Sequence, residues 1–228
     1  SALKPAVSKG FNDLGILTIQ GYGLTETSPV LAAENEYNMR AGSVGKPFPS
    51  VEISIENPNE EGIGEIVAKG PNVMLGYYEM PEETAAVLKN GKFYTGDLGR
   101  FDKDGFLYIT GRKKNVIVLK SGKNVYPEEL EELCSRLPYV NEVLVYGKSK
   151  EDNYLIAVKV VYSKEYFESK NMSTDEADIA ALLKQDIVKI NETLPQYKHI
   201  KHISLQSTPM TKTTTAKIKR FEELKNEQ

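Results

Sequence analysis

The pattern of apolar and polar positions divides the chain into stretches of different character. Val7 to Leu14 has the spacing of the end of a helix. After Gly15, the run Ile16-Leu17-Thr18-Ile19 predicts a short buried strand opening into a glycine-rich turn. From Gly42 to Thr110 the pattern turns to β, with strands predicted over Val51–Glu56, Gly64–Lys69 and Phe106–Thr110, separated by turn signals such as Pro58-Asn59 and Asp104-Gly105. A short helix interrupts them, because Pro81-Glu82-Glu83-Thr84 puts proline at the first helical position and acids in the first turn of a run toward Leu88. Beyond Gly111 come a strand over Val116–Leu119, then Gly122, then a helix opened by Pro127-Glu128-Glu129. The apolar positions of that helix, Leu130, Leu133, Cys134 and Leu137, recur at i, i+3, i+4 and i+7. Strands over Glu142–Tyr146 and Tyr154–Val161 precede a helix from Ser173, with Glu176 completing a capping box. Ile179, Leu183, Ile187 and Leu194 give that helix one apolar face, and Pro195 stops it. A strand over Ile200–Leu205 and a helix near Ile218–Lys225 finish the pattern.

The expected class is therefore mixed α/β and α+β. Residues 1–111 form a first domain with a β-rich subdomain at about 42–111, and residues 112–228 form a smaller α+β domain, with the boundary at Gly111 to Lys114. At 228 residues the chain can bury a core without staples. Composition narrows the function. The balance of 29 Lys+Arg against 32 Asp+Glu lacks the charge signature of a nucleic-acid binder, and the 13 tyrosines are scattered rather than set among basic residues. A single cysteine, Cys134, allows neither an intrachain disulfide nor a cysteine-based zinc site, which fits a reducing, cytoplasmic compartment. It lies on the apolar face of its helix, where packing is the expected role. No apolar run is long enough to span a bilayer, and the first residues carry no export signal. His199 and His202 flank a predicted strand with spacing that points them to opposite faces, a poor metal pair.

Four stretches carry chemistry. Gly21-Tyr22-Gly23-Leu24-Thr25-Glu26 combines an aromatic stacking face, close backbone approach, a hydroxyl for phosphate and a hard oxygen ligand suited to Mg²⁺; a β-turn with a packed tyrosine fits it equally well. In Tyr94-Thr95-Gly96-Asp97 the acid could accept hydrogen bonds from two hydroxyls of a ribose, although Asp after Gly is also an ordinary turn residue. Gly111-Arg112-Lys113-Lys114 is basic at the proposed boundary, where a solvated face is the bland alternative. Lys212-Thr213-Thr214-Thr215-Ala216-Lys217-Ile218-Lys219-Arg220 could present Lys217 to a carboxylate or phosphate, or could be a basic linker entering a helix.

These strings occur together and in order, alongside Gly64-Glu65-Ile66 running to Gly76-Tyr77, and Gly122 followed by Glu128-Glu129-Leu130-Glu131. In this the chain resembles the acyl-adenylate-forming superfamily over nearly its whole length, and within it the AMP-forming long-chain fatty acyl-CoA synthetases. The resemblance implies the C-terminal portion of the large adenylate-forming domain followed by a small mobile C-terminal domain. It implies ATP/AMP, Mg²⁺ and coenzyme A as cofactors, with fatty acid and CoA as substrates. Tyr22, between Gly21 and Gly23, would stack on adenine, Thr25 would touch the α-phosphate, and Glu26 would hold the metal. Asp97 and Arg112 would bind the ribose hydroxyls. Lys114 would be the hinge about which the small domain turns between two catalytic poses. Lys217 would bridge carboxylate and nucleotide in one pose, and the loop at Gly122 would line the pantetheine channel in the other.

The family's phosphate-cradling loop and most of its acyl pocket do not occur in these residues, and Ser1-Ala2-Leu3-Lys4-Pro5 resembles the end of the small-residue strand beside the adenine. The expectation is a fragment of a larger ligase that is inactive alone. Ala216 stands where the family usually has glycine. The Arg112 to Gly122 spacing and a lysine hinge resemble the fatty-acid branch. The alternatives are an adenylation enzyme that loads a carrier protein and a non-catalytic nucleotide-binding module. The helix from Ser173 is amphipathic with both charge signs on its polar side, so it is expected to face a core; peripheral membrane contact of the complete enzyme stays open.

Overall fold

Long antiparallel strands set the frame of both halves of the chain. The computed structural model describes residues 5–150 and 153–225, so the expectation placed on Ser1-Ala2-Leu3-Lys4 lies outside the described residues. The chain divides into two compact units, Ser1–Lys114 and Asn115–Gln228.

The first unit contains α1 (Pro5–Asp13), β1 (Gly21–Gly23), β2 (Val30–Ala33), β3 (Lys46–Pro47), β4 (Glu52–Glu56), β5 (Gly64–Lys69), α2 (Pro81–Val87), β6 (Leu88–Lys89), β7 (Lys92–Phe101) and β8 (Leu107–Arg112). Strands β1, β2 and β3 form one antiparallel sheet. In the other, β5 lies between β4 and β7, and the far edge of β7 pairs with β6 at its start and β8 at its end. Central position explains the composition of β5: Gly64 to Ala68 are all buried, so the strand reads as a nearly continuous small and apolar run rather than an alternation. Ile66 and Leu107 pack with Ala32 and Val44, while Ala68 packs with Leu31 and Val51, which joins the two sheets into one core.

The expected strand at Ile16–Ile19 does not form, and Ile16, Leu17 and Ile19 are about half exposed, at 53, 52 and 52%. The segment is tied by side chains to α1 instead: Thr18 N–H donates to Asn12 Oδ1 at 3.0 Å, and the Thr18 and Ser8 hydroxyls pair at 2.6 Å. The glycine-rich turn expected after it is itself the strand β1.

The second unit runs through β9 (Ile117–Val118), β10 (Asn124–Val125), α3 (Pro127–Cys134), β11 (Val140–Lys150), β12 (Asn153–Tyr162), α4 (Lys164–Ser169), α5 (Glu176–Glu192), β13 (Ile200–Gln206) and α6 (Arg220–Leu224). The sheet order is β11-β12-β13, antiparallel then parallel, and the β12-to-β13 crossover carries α4 and α5. One face holds the core. Leu130 and Cys134 of α3 and Ile179, Leu183 and Ile187 of α5 cover Val145, Ile156, Val158 and Val160. On the other face Leu144 and Val161 pack against Met210, Ile218 and Leu224.

Helix α5 starts later than its pattern predicts. Asp175 is the N-cap, its Oδ1 accepting from Ala177 N–H at 2.8 Å, while Ser173 Oγ accepts from Asp175 N–H at 3.2 Å; the expected Ser173–Glu176 capping box is replaced by a carboxylate, which also suits the helix dipole. The last helix is shorter than expected because Ile218 bridges back to Lys212. Among the described residues no helix is long and apolar enough to cross a membrane.

Candidate functional site

In the first unit the three residues Tyr22, Asp97 and Arg112 meet. Tyr22 lies in β1, Asp97 in β7 and Arg112 at the end of β8, directly opposite Asp97 in the ladder. Between the pairs Glu65↔Leu98 and Val67↔Tyr94 the strand β7 carries Thr95-Gly96-Asp97 against the single residue Ile66. This bulge turns Asp97 toward β8. Thr95 Oγ1 secures it, donating to Ile66 O at 2.8 Å and accepting from Asp97 N–H at 3.1 Å.

Asp97 is only 5% exposed, yet its carboxylate is met from two sides. The Tyr22 hydroxyl donates to Oδ2 at 2.8 Å, and Arg112 Nε lies 2.7 Å from Oδ1. Burial, and then the Asp97 charge, push the Tyr22 phenol far above its ordinary range, so it stays a donor at any physiological pH. The Arg112 side chain is 45% exposed and so reaches solvent while it holds the acid.

Gly23 follows Tyr22 for a steric reason rather than for flexibility. A Cβ there would lie 1.7 Å from the Pro29 carbonyl oxygen, so only glycine lets β1 approach β2. The next turn, Thr25–Thr27, is a single 3₁₀ turn in which Thr25 is exposed and Glu26 half-buried. Buried Thr27 anchors it, its hydroxyl accepting from Leu24 N–H at 3.0 Å and donating toward Pro29 O at 2.9 Å. Glu26 Oε1 accepts from the Tyr77 hydroxyl at 3.0 Å, and Glu26 O accepts from Met74 N–H at 2.8 Å. Burial, and then Glu26, raise the Tyr77 phenol. The basic cluster is not only a solvated face: Lys113 Nζ lies 2.6 Å from Glu65 Oε2, while Lys114 is exposed in the 3₁₀ turn Lys113–Asn115.

The second unit holds the other two candidates, each on a hairpin. Gly122 (φ +78°) closes the turn between β9 and β10; its N–H donates to Leu119 O at 2.8 Å and Leu119 N–H donates to Lys123 O at 3.0 Å. The left-handed position at the end of this turn favours glycine. Lys217 is exposed on a hairpin whose stem is the Lys212↔Ile218 bridge. Thr213 N–H donates to Lys217 O at 2.8 Å, Lys217 N–H donates to Thr213 Oγ1 at 3.2 Å, and Ala216 takes the left-handed conformation at φ +59°.

Sequence reasoning assigned no role to Tyr77, Glu65, Glu131 or Arg220, all of which lie in the strings that carry the resemblance. Their partners are 51, 48 and 89 residues away along the chain, beyond the reach of local pattern. Among the described residues no group of three or more His, Cys, Asp or Glu is arranged to hold a metal ion.

The sequence profile of the AMP-binding enzyme family matches residues 1–78, and that of the AMP-binding enzyme C-terminal domain matches residues 114–226. A long-chain-fatty-acid–CoA ligase of Bacillus subtilis (strain 168) is 41% identical over 155 residues, 64% of this chain and 28% of its own length. A 2-succinylbenzoate–CoA ligase of Geobacillus kaustophilus (strain HTA426) is 38% identical over 181 residues, 77% of this chain and 36% of its own. Among solved structures, O-succinylbenzoate coenzyme A synthetase from Bacillus subtilis, in complex with ATP and magnesium ion, superposes with a TM-score of 0.79 at 28% identity. That match covers 96% of this chain and 44% of the synthetase. The chain thus spans between about a quarter and under a half of the proteins it matches. With the two profiles matched in chain order and together covering most of its length, the chain belongs to the AMP-binding enzyme family.

Proposed function

We propose that this chain is the C-terminal part of an AMP-forming acid–CoA ligase that converts a fatty acid to acyl-AMP and then to acyl-CoA. The observation that carries the reading is the buried Asp97 carboxylate held between the Tyr22 hydroxyl and Arg112 beside an aromatic ring, an arrangement that suits a ribose carrying an adenine. On this reading Tyr22 stacks on the base, Asp97 and Arg112 take the ribose hydroxyls, and Thr25 reaches the α-phosphate. Lys217 brings a point charge to the carboxylate and the nucleotide while the carboxylate oxygen attacks phosphorus and pyrophosphate leaves. Lys114 is the pivot between the domain poses, and the Gly122 hairpin serves the CoA channel.

Glu26 suits a nucleotide-bound Mg²⁺ rather than a protein-built cage: it is one hard oxygen donor, with Tyr77 fixing one oxygen, and Mg²⁺ commonly takes one or two carboxylates plus substrate phosphates. Such an ion, when bound, neutralises charge on the phosphates. The fatty-acid assignment rests on the 41% identical relative and on the Arg112 to Gly122 spacing. The 2-succinylbenzoate relative, which covers more of the chain, favours an aromatic acid as the second reading.

The test is ATP–pyrophosphate exchange by the chain and by the complete ligase containing it, across fatty, aromatic and amino acids. Exchange with fatty acids by the complete ligase and none by the 228-residue chain is expected. Exchange with aromatic acids alone would select the second reading, and silence from both proteins would refute ligase function.

A further inference from the structure

The hairpin that carries Lys217 is held at its base by part-buried charge. Arg220, three residues beyond the lysine, makes a bidentate pair with Glu131, NH2 lying 2.6 Å from each carboxylate oxygen, and its NH1 donates to Val145 O at 2.9 Å. Glu131 also accepts from Val145 N–H at 2.8 Å. Both members of the pair therefore grip one residue of β11, N–H and C=O alike. The Glu131 and Arg220 side chains are only 17% and 24% exposed, and Glu128 adds its carboxylate 3.9 Å from the same guanidinium. Burial raises the Glu131 carboxyl and the Arg220 charge opposes that rise.

The other strand of the hairpin is tied in the same way. Glu142 accepts from Met210 N–H at 2.7 Å and pairs with Lys212, while Glu223 accepts from Thr211 N–H at 2.7 Å and lies 3.5 Å from Lys159. Ile218 packs on Leu144, Val161 and Met210. Thr213 to Lys217, by contrast, are exposed. The result is a short tip on a stem locked to the sheet from both sides.

We propose that the Arg220–Glu131 pair is a positioning device for Lys217, holding the hairpin stem so that the lysine is aimed when the second unit presents it for adenylation. A flexible four-carbon amine supplies no geometry of its own, so the aim must come from the backbone that carries it. The inference rests on the reading of Lys217 under the proposed function.

The test uses R220A and the gentler E131Q in the complete ligase, with K217A as the reference and each half-reaction measured separately. The expected result is an adenylation kcat lowered about tenfold or more, with KM for ATP and acid within about twofold and thioester formation from supplied acyl-AMP unchanged. The double variant E131Q/R220A should be no worse than R220A. In the chain itself, the amides of Thr213, Lys217 and Lys219 should exchange about tenfold faster in both variants. If K217A falls selectively in adenylation but R220A and E131Q do not, the positioning role is overturned. Equal losses in both half-reactions with a lowered melting temperature would reduce the pair to a structural one, which also overturns it. If K217A itself spares adenylation, the reading of Lys217 fails first.

Discussion

Replacing Gly23 by alanine tests whether the close approach of β1 to β2 is what holds Tyr22 against Asp97. The added Cβ would stand 1.7 Å from Pro29 O, 2.6 Å from Pro29 C and 2.8 Å from Val30 Cα, where ordinary contact begins at 3.4 Å. All three are backbone atoms, so no rotamer change relieves the clash, and the two strands must part by about 1.5 Å. Overpacking a core costs about 1–3 kcal/mol, and a backbone clash belongs at the upper end. Moving Pro29 also strains the Thr27 hydroxyl bond to its carbonyl, 2.9 Å in the native turn, for about 1 kcal/mol more. A loss of about 3–4 kcal/mol in a unit of this size lowers its melting temperature by about 10–20 °C. The assay is thermal unfolding of G23A by circular dichroism beside G62A. At Gly62 (φ +75°) no heavy atom lies within 4 Å of an added Cβ, so only the left-handed backbone is penalised, by about 1–2 kcal/mol. A G23A shift no larger than that of G62A would refute the steric argument, and with it the account of why β1 holds Tyr22 against Asp97.

Other outcomes follow from the same geometry. Ala216 at φ +59° bears the left-handed penalty of about 1–2 kcal/mol, so A216G should stabilise the chain by about 0.5–1 kcal/mol after the entropy of glycine is counted; a lowered urea midpoint would contradict this. Burial, and then Glu131, push the Cys134 thiol from its ordinary 9.0 up to about 12. A folded value above the unfolded one is a contribution present below pH 9.0 and lost as pH rises toward 12, so the urea midpoint of the native chain should fall more steeply over that interval than that of C134A. Iodoacetamide at pH 8 should leave Cys134 unlabelled until the chain unfolds; rapid native labelling would show that the thiol is not closed in the core. On the proposed function, K217A in the complete protein should abolish adenylation while sparing transfer from supplied acyl-AMP, and equal loss in both would refute the assignment of Lys217 to adenylation alone.

Much of the fold was legible where local chemistry decides alone. Pro127 with Glu128 and Glu129 opens a helix in any setting, and the i, i+3, i+4 spacing sent Leu130 and Cys134 to the core. Gly64–Lys69 was read residue for residue, because its buried apolar run Ile66-Val67-Ala68 is bounded by glycines at 64 and 70. The long strand Lys92–Phe101 was not read, since Thr95-Gly96-Asp97 looks like a turn; it becomes a bulged strand only because β5 and β8 supply ladder partners on both sides. Ile16–Ile19 failed in the opposite way, its apolar run counting for nothing without a neighbouring strand.

The sequence by itself determined which residue types were available and in what order: an aromatic between glycines, an acid after glycine, a basic cluster and a lysine behind threonines. Those strings name a family because their chemistry is carried by side-chain identity, which needs no coordinates. Only the tertiary structure decided which groups act on each other. Tyr22 and Asp97, on strands, stand 75 residues apart, and Arg220 and Glu131, on helices, 89, and neither pair exists until the packed fold brings its members within hydrogen-bond distance. Pairing at that range is a property of packing and register, which no local window of sequence contains.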